Sequence, residues 1–179
     1  MSKLLPKDFS GTRYGLSYRL VDVEDASFIL SLRTDERLAR HIHPTEPDIR
    51  KQEEWTRKYK EREAAGTDYY FIYFLDSTPV GVNRVYNIFE YYGTEGSWIC
   101  APGSDPQVVL STYLILHDTM FGEIGLDLSV FDVRKDNKKV NRMHKMFGAV
   151  TVGESDIDYY YTLNKNTYFE RRERFLKYY

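Results

Sequence analysis

Cysteine is nearly absent: Cys100 is the single thiol among 179 residues. One thiol closes no intrachain disulfide and builds no cysteine metal cage. Excess positive charge is lacking too, since 25 Lys and Arg face 27 Asp and Glu for a formal charge of −2. Nothing in that balance favours nucleic acid or an anionic membrane as a partner. No run reaches the roughly 18 apolar residues of a membrane-crossing helix. The start, MSKLLPKD, has no apolar stretch of the signal-peptide kind. Repeats, low-complexity tracts and linkers are missing as well. The expectation is one cytoplasmic domain over 1-179, large enough to bury roughly 70% of its unfolded surface.

What the chain does have is periodicity. Residues 1–10 read as a frayed leader, and 14–20 alternate as a first strand. Asp22 caps a helix that carries Phe28, Ile29, Leu32 and Leu38. A second, heavily charged helix spans 49–65 and stops at Gly66. Residues 69–75 are apolar on both faces, which suits a central strand, and 80–89 return as its hairpin partner. A turn at Tyr91, Tyr92 and Gly93 leads to a strand near 97–101, a loop at 102–106 and an apolar helix over 107–124. Strand-like, tyrosine-rich 150–163 and a helix or tail over 166–179 close the chain.

The most informative stretch is 126–148. Leu126, Leu128 and Val130 alternate with Asp127 and Ser129, the period of a strand. Asp136 and Asn137 then offer side-chain caps. From Lys138 the period changes: Val140, Met143, His144 and Phe147 fall on one helical face, and Gly148 supplies the left-handed residue that ends it. A histidine in such a stripe needs a partner or a cavity, because burying its nitrogens unpaired costs roughly 1–3 kcal/mol.

The spacing of Val133, Asn137, His144, Phe147 and Gly148 resembles the closing motif of the GNAT superfamily of N-acetyltransferases, with His144 in the place of the usual tyrosine. The resemblance follows nearly the whole chain in order. It implies an α+β fold, a mixed, mainly antiparallel sheet with helices on both faces, in the order β-α-α-β-β-β-α-β-α-β. It also implies acetyl-coenzyme A as cosubstrate, lying in a gap between two splayed strands, and direct attack of a primary amine on the thioester. The implied branch includes ribosomal-protein and amino-sugar acetyltransferases, so the acceptor is a small-molecule amine, by preference an amino sugar or a nucleotide-linked one. The rival reading is a GNAT-fold binding module without catalysis. A third, a tyrosine-rich binder of single-stranded nucleic acid, lacks the basic groove it needs.

On this resemblance His144 serves the departing thiolate by proton or hydrogen bond, or else is a core histidine. Asn137 caps the helix and contacts the cofactor arm. Glu95, in Gly-Thr-Glu-Gly-Ser-Trp, is either a base for the amine or a solvated turn residue. Trp98, Ile99 and Cys100 would pair through backbone with the pantetheine amides. Gln107, Val108 and Val109 occupy the pyrophosphate loop, where the family usually has glycines and this chain has none. Asp105 there can cap its own helix and compete with a phosphate. His41 and His43 lack a third partner at metal-binding spacing, so no metal is expected, and His117 reads as structural. Tyr69, Tyr70, Tyr73, Tyr86, Tyr91, Tyr92, Tyr159, Tyr160 and Tyr161 cluster in strands and turns expected to border the acceptor side, where tyrosine can stack on a sugar or base. Most of them are expected to be packing residues at strand propensity.

Overall fold

A computed structural model describes residues 3–179. The elements run β1 (Ser10–Arg13), β2 (Leu16–Leu20), α1 (Ala26–Thr34), α2 (Glu36–Ala39), α3 (Ile49–Ala64), β3 (Asp68–Leu75), β4 (Thr78–Tyr86), β5 (Tyr92–Cys100), α4 (Pro106–Asp118), β6 (Leu128–Arg134), α5 (Lys138–Met146), β7 (Val150–Glu154), β8 (Asp158–Asn164) and α6 (Lys165–Leu176). All strands join one sheet in the order β1-β2-β3-β4-β5-β6-β8-β7. Neighbours are antiparallel except β5 and β6. One apolar cluster joins Val21, Ile29, Leu32 and Tyr59 to Ile72, Val82 and Ile99, placing α1 and α3 on one face. A larger cluster gathers Tyr113, Leu114, Phe147 and Tyr168 against Leu16, Phe71, Val85 and Phe131, placing α4, α5 and α6 on the other. The α+β sandwich with helices on both faces is therefore the architecture found.

Several boundaries differ from expectation for local reasons. Tyr14 and Gly15 both have positive φ, so a tight turn trims the expected first strand to β2 and joins it to β1, which lies before the expected strand. Residues 3–9 are not frayed: the Lys3 N–H reaches the Ile124 carbonyl at 2.8 Å, and Leu5 and Phe9 pack on the core, while residues 1 and 2 of the expected leader lie outside the described residues. Asp22 caps a short 3₁₀ turn, Val23–Asp25, that leads into α1. The tyrosine-rich segment folds back at residues 155–157 into two antiparallel strands, and the tail is helical. The expected order thus gains a strand at each end, the short α2 and the final α6.

The feature that positions the site is a seam. Strands β5 and β6 pair only at Tyr92↔Leu128, Gly93↔Ser129 and Thr94↔Val130. Beyond Thr94, β5 continues along β4 alone and β6 along β8 alone. Between Gly96 and Ile99, Ser97 and Trp98 stand opposite Asn83, and Ser97 has φ +50. This bulge bends β5 away from β6.

Candidate functional site

Where the strands part, a cavity of about 430 Å³ opens through the sheet. Residues 95–100 form one wall and 131–134 the other, with Tyr113 and His144 on one helical side and Arg33 and His41 on the opposite side. Both strands turn unpaired backbone edges toward it. Trp98 donates from Nε1 to Thr112 Oγ1 at 3.0 Å, and Ile99 points into the α1–α3 core, so their side chains are committed to packing. Burial raises the Cys100 thiol above its ordinary pKa, which argues against a thiolate nucleophile.

Helix α5 forms as its stripe predicts. Asn137 accepts from the Val140 N–H at 3.4 Å, and Gly148, with φ +96, ends the helix. His144 is 4% exposed and Phe147 fully buried, while Val140 and Met143 flank them half-buried. His144 is packed by Phe131, with ring centroids 4.2 Å apart, and by Tyr113, Trp98 and Tyr161. Its Nδ1 lies 3.3 Å from the Tyr113 hydroxyl and 3.7 Å from Glu95 Oε1. Its Nε2 has no hydrogen-bond partner among the described residues, and His144 lines the cavity.

Glu95 overturns the turn reading. It sits inside β5, 8% exposed, pointing to the α4 side. Ser129 donates to Oε1 at 3.2 Å, and His117 Nε2 lies 2.9 Å from Oε2. That last contact is short but oblique to the ring N–H, leaving Nε2 without an aligned hydrogen bond. Burial drives the Glu95 carboxyl up, but the close His117 and His144 rings, with the Ser129 hydrogen bond, bring it below its ordinary value. Burial pushes the His144 imidazole down to about 4 against the pull of Glu95, so the ring is neutral at neutral pH. Burial, reinforced by Glu95, holds the Tyr113 phenol well above its usual range.

The pyrophosphate-loop residues are less united. Asp105 accepts from the Gln107 N–H at 2.7 Å and Pro106 opens α4, so the self-capped helix is present. Gln107 turns its side chain to the Tyr178 carbonyl, and Val108 is buried in the core. Val109 alone of the three lines the cavity, as does Asn137. His43 stands at the mouth, and His41 Nε2 lies 3.3 Å from Asp136 Oδ1. No cluster of potential metal ligands occurs among the described residues.

The tyrosines are mostly packing residues, as their strand spacing suggests. β3 is covered on both faces, so Tyr69, Tyr70 and Tyr73 belong to the core, as does Tyr161. Of the nine, only Tyr86 lines the cavity. Sequence reading missed Tyr113, and it kept His117 apart from Glu95.

No family model matches the chain, and no curated protein does. Among solved structures, the apo form of FdhC, a nucleotide-linked sugar GNAT, is 33% identical, with 94% of this chain and 97% of that one covered at a TM-score of 0.85. Ribosomal-protein-S5-alanine acetyltransferase from Vibrio fischeri is 15% identical over 89% of this chain and 98% of that one, at 0.77. Spermidine N-acetyltransferase SpeG from Vibrio cholerae is 15% identical over 89% and 99%, at 0.71. The last two speak for the fold alone.

Proposed function

We propose that this chain, which belongs to the GNAT family of N-acetyltransferases, transfers an acetyl group from acetyl-coenzyme A to the amine of a nucleotide-linked amino sugar. N-acetyltransferase activity follows from the family; the acceptor and the residue roles below are the proposal. The observation that carries the acceptor is the charge of the cavity mouth. Arg33 on α1 donates to Thr45 Oγ1 at 2.7 Å and to the His43 carbonyl at 3.4 Å, and has no carboxylate partner among the described residues. Of the carboxylates lining the cavity, Glu95 faces His117 and Asp158 pairs with Arg134, which leaves Asp132 alone against the unpaired cations Arg33 and Lys139 among the described residues. A polyamine would want acidic walls, whereas a diphosphate suits a free guanidinium. The relative of nucleotide-linked sugar type supports the same choice.

Purified protein should therefore acetylate a nucleoside-diphosphate amino sugar and leave spermidine untouched in a thiol-release assay. Arg33→Ala should raise the KM for that acceptor about tenfold to a hundredfold, the weight of one charge-assisted hydrogen bond, with the KM for acetyl-coenzyme A unmoved. Equal turnover of spermidine would refute the acceptor.

The free edges of β5 and β6 fit the donor's amide arm, with backbone groups of Ser97 to Cys100 available along one wall. Acetyl-coenzyme A supplies an activated acyl group as its thioester. The fit at the phosphate end is poorer, because the Asp105 carboxylate already takes the first N–H of α4, that of Gln107. Asp105→Asn keeps the cap and removes the charge. Calorimetry should show acetyl-coenzyme A binding up to about fivefold tighter, the scale of a charge at a helix end, with the gain fading as salt rises. An unchanged affinity at low and high salt would mean the carboxylate does not compete.

In the proposed chemistry His144 begins neutral, with Nε2 open to the cavity. As the amine nitrogen bonds to the acyl carbon, Nε2 takes a proton from that nitrogen. When the carbon–sulfur bond breaks, the same proton passes from Nε2 to the sulfur. One imidazole thus serves nucleophile and leaving group in turn, and the products are amide and thiol. Such a role needs no resident proton, which agrees with an imidazole pushed down to about 4. Tyr113, held as a phenol, lies 3.3 Å from Nδ1 on the side of the ring away from the reacting Nε2.

A further inference from the structure

His117 has no part in that scheme, yet it is fully buried against the carboxylate behind His144. Its Nδ1 lies 2.8 Å from the Tyr113 carbonyl. A carbonyl only accepts, so Nδ1 must carry a proton. If that were the ring's only proton, the buried Nε2 would hold its lone pair 2.9 Å from Glu95 Oε2, oblique to it but in close contact. Two electron-rich atoms at that distance repel each other. A proton on Nε2 makes the ring a cation and turns the repulsion into attraction between charges.

We propose that His117 and Glu95 form a buried imidazolium–carboxylate pair, and that His117 thereby acts as a positioning residue for His144. With Glu95 held as an acceptor by His117 and Ser129, Nδ1 of His144 keeps its proton on the Glu95 and Tyr113 side. Nε2 is then left as the lone pair facing the cavity. His117 touches neither substrate. It sets the tautomer of the residue that does.

The groups around the pair are few. Glu95 is faced by His117 and Tyr113 from α4, His144 from α5 and Ser129 from β6. His117 is stacked by Tyr113 at 4.0 Å and by Tyr168 of α6 at 5.2 Å. Tyr168 donates to Asp118, whose carboxylate is also met by Tyr14 and Arg172, so that neighbouring charge is already compensated. Losing the His117 charge leaves the Glu95 carboxyl buried with less support, and its pKa moves up. The acid limb of the pH–rate profile must then move to higher pH.

The first test uses the unliganded wild-type protein and is independent of the acceptor and of His144's catalytic role. NMR of histidine-labelled protein at pH 8 should find protons on both nitrogens of His117 and on Nδ1 alone of His144. A His117 ring with one proton overturns the proposal. The second test rests on the proposed proton transfer by His144. His117→Phe should lower kcat about 10- to 100-fold, as misplacement of a catalytic group does, and shift the acid limb of kcat/KM upward. His117→Gln, which restores a donor toward Glu95, should recover part of both. If the NMR result holds but neither variant changes the pH profile, the ion pair stands and the positioning role falls.

Discussion

Replacing His144 with phenylalanine should lower kcat about 10²-fold or more, the lower range for a positioned acid–base group, in a protein that still folds. The ring of phenylalanine suits the aromatic cage of Phe131, Trp98, Tyr113 and Tyr161 around that position. The KM for acetyl-coenzyme A should barely move, because the proton is transferred only on the way to and from the tetrahedral state. His144→Tyr should recover part of the loss by donating to sulfur without accepting as readily from nitrogen. The wild-type pH profile carries a matching signature. A His144 pKa lowered to about 4 means the neutral, active ring persists above that pH and is lost as pH falls through it. No limb near the ordinary histidine value should belong to His144, and one appearing between pH 5 and 8 should vary with the amine used. Unchanged turnover in folded His144→Phe, with chemistry limiting the rate, would reduce His144 to a core residue.

Glu95→Ala should be the most damaging single change to stability. Deleting one member of a buried charge pair leaves the other unpaired, at a cost of about 3–5 kcal/mol. Urea unfolding should show that loss, and kcat should fall because His144 loses the acceptor behind Nδ1. Glu95→Gln keeps the volume and one acceptor oxygen, so its stability loss should be smaller while kcat still drops. The combined Glu95→Gln, His117→Gln protein removes the charges together and should be less destabilised than Glu95→Ala. An alanine variant as stable as wild type would show that His117 bears no charge needing compensation.

How much of this was visible in the chain depends on which face each element buries. The α5 stripe was legible because Val140, Met143, His144 and Phe147 lie on one side of a helix whose other side is charged. Asp22 and Asp105 were readable as caps, and each accepts a hydrogen bond at the start of its helix or turn. His117 and Tyr113 were not legible as partners of Glu95. From Ser111 to Asp118 every residue of α4 is buried, so no periodicity tells which side chains meet β5. The spacing of Tyr113 and His117, one helical turn apart, was the available signal, but it needed a known carboxylate opposite. Glu95 itself was masked by the glycines around it. Those glycines serve close packing rather than a turn: a Cβ on Gly93 would stand 3.0 Å from Leu126, and one on Gly96 would stand 3.1 Å from the Tyr86 ring. Which tyrosine would face the cavity was not legible either, since aromatic residues at strand spacing serve a two-sided core as well as a binding face.

The parting of β5 from β6 has a consequence for how such a chain can change over time. Along that edge the donors and acceptors facing the gap are peptide groups, identical whatever side chains hang from them. Selection on Trp98 and Ile99 therefore acts through Thr112 and the α1–α3 core, not through the edge itself. Substitutions that keep the packing leave the edge's chemistry intact. Two descendants of one ancestor can then lose nearly all resemblance in letters along these strands while retaining the same row of peptide groups. What resists drift is the bend at Ser97, where most side chains are strained at positive φ and a straightened strand would close the gap.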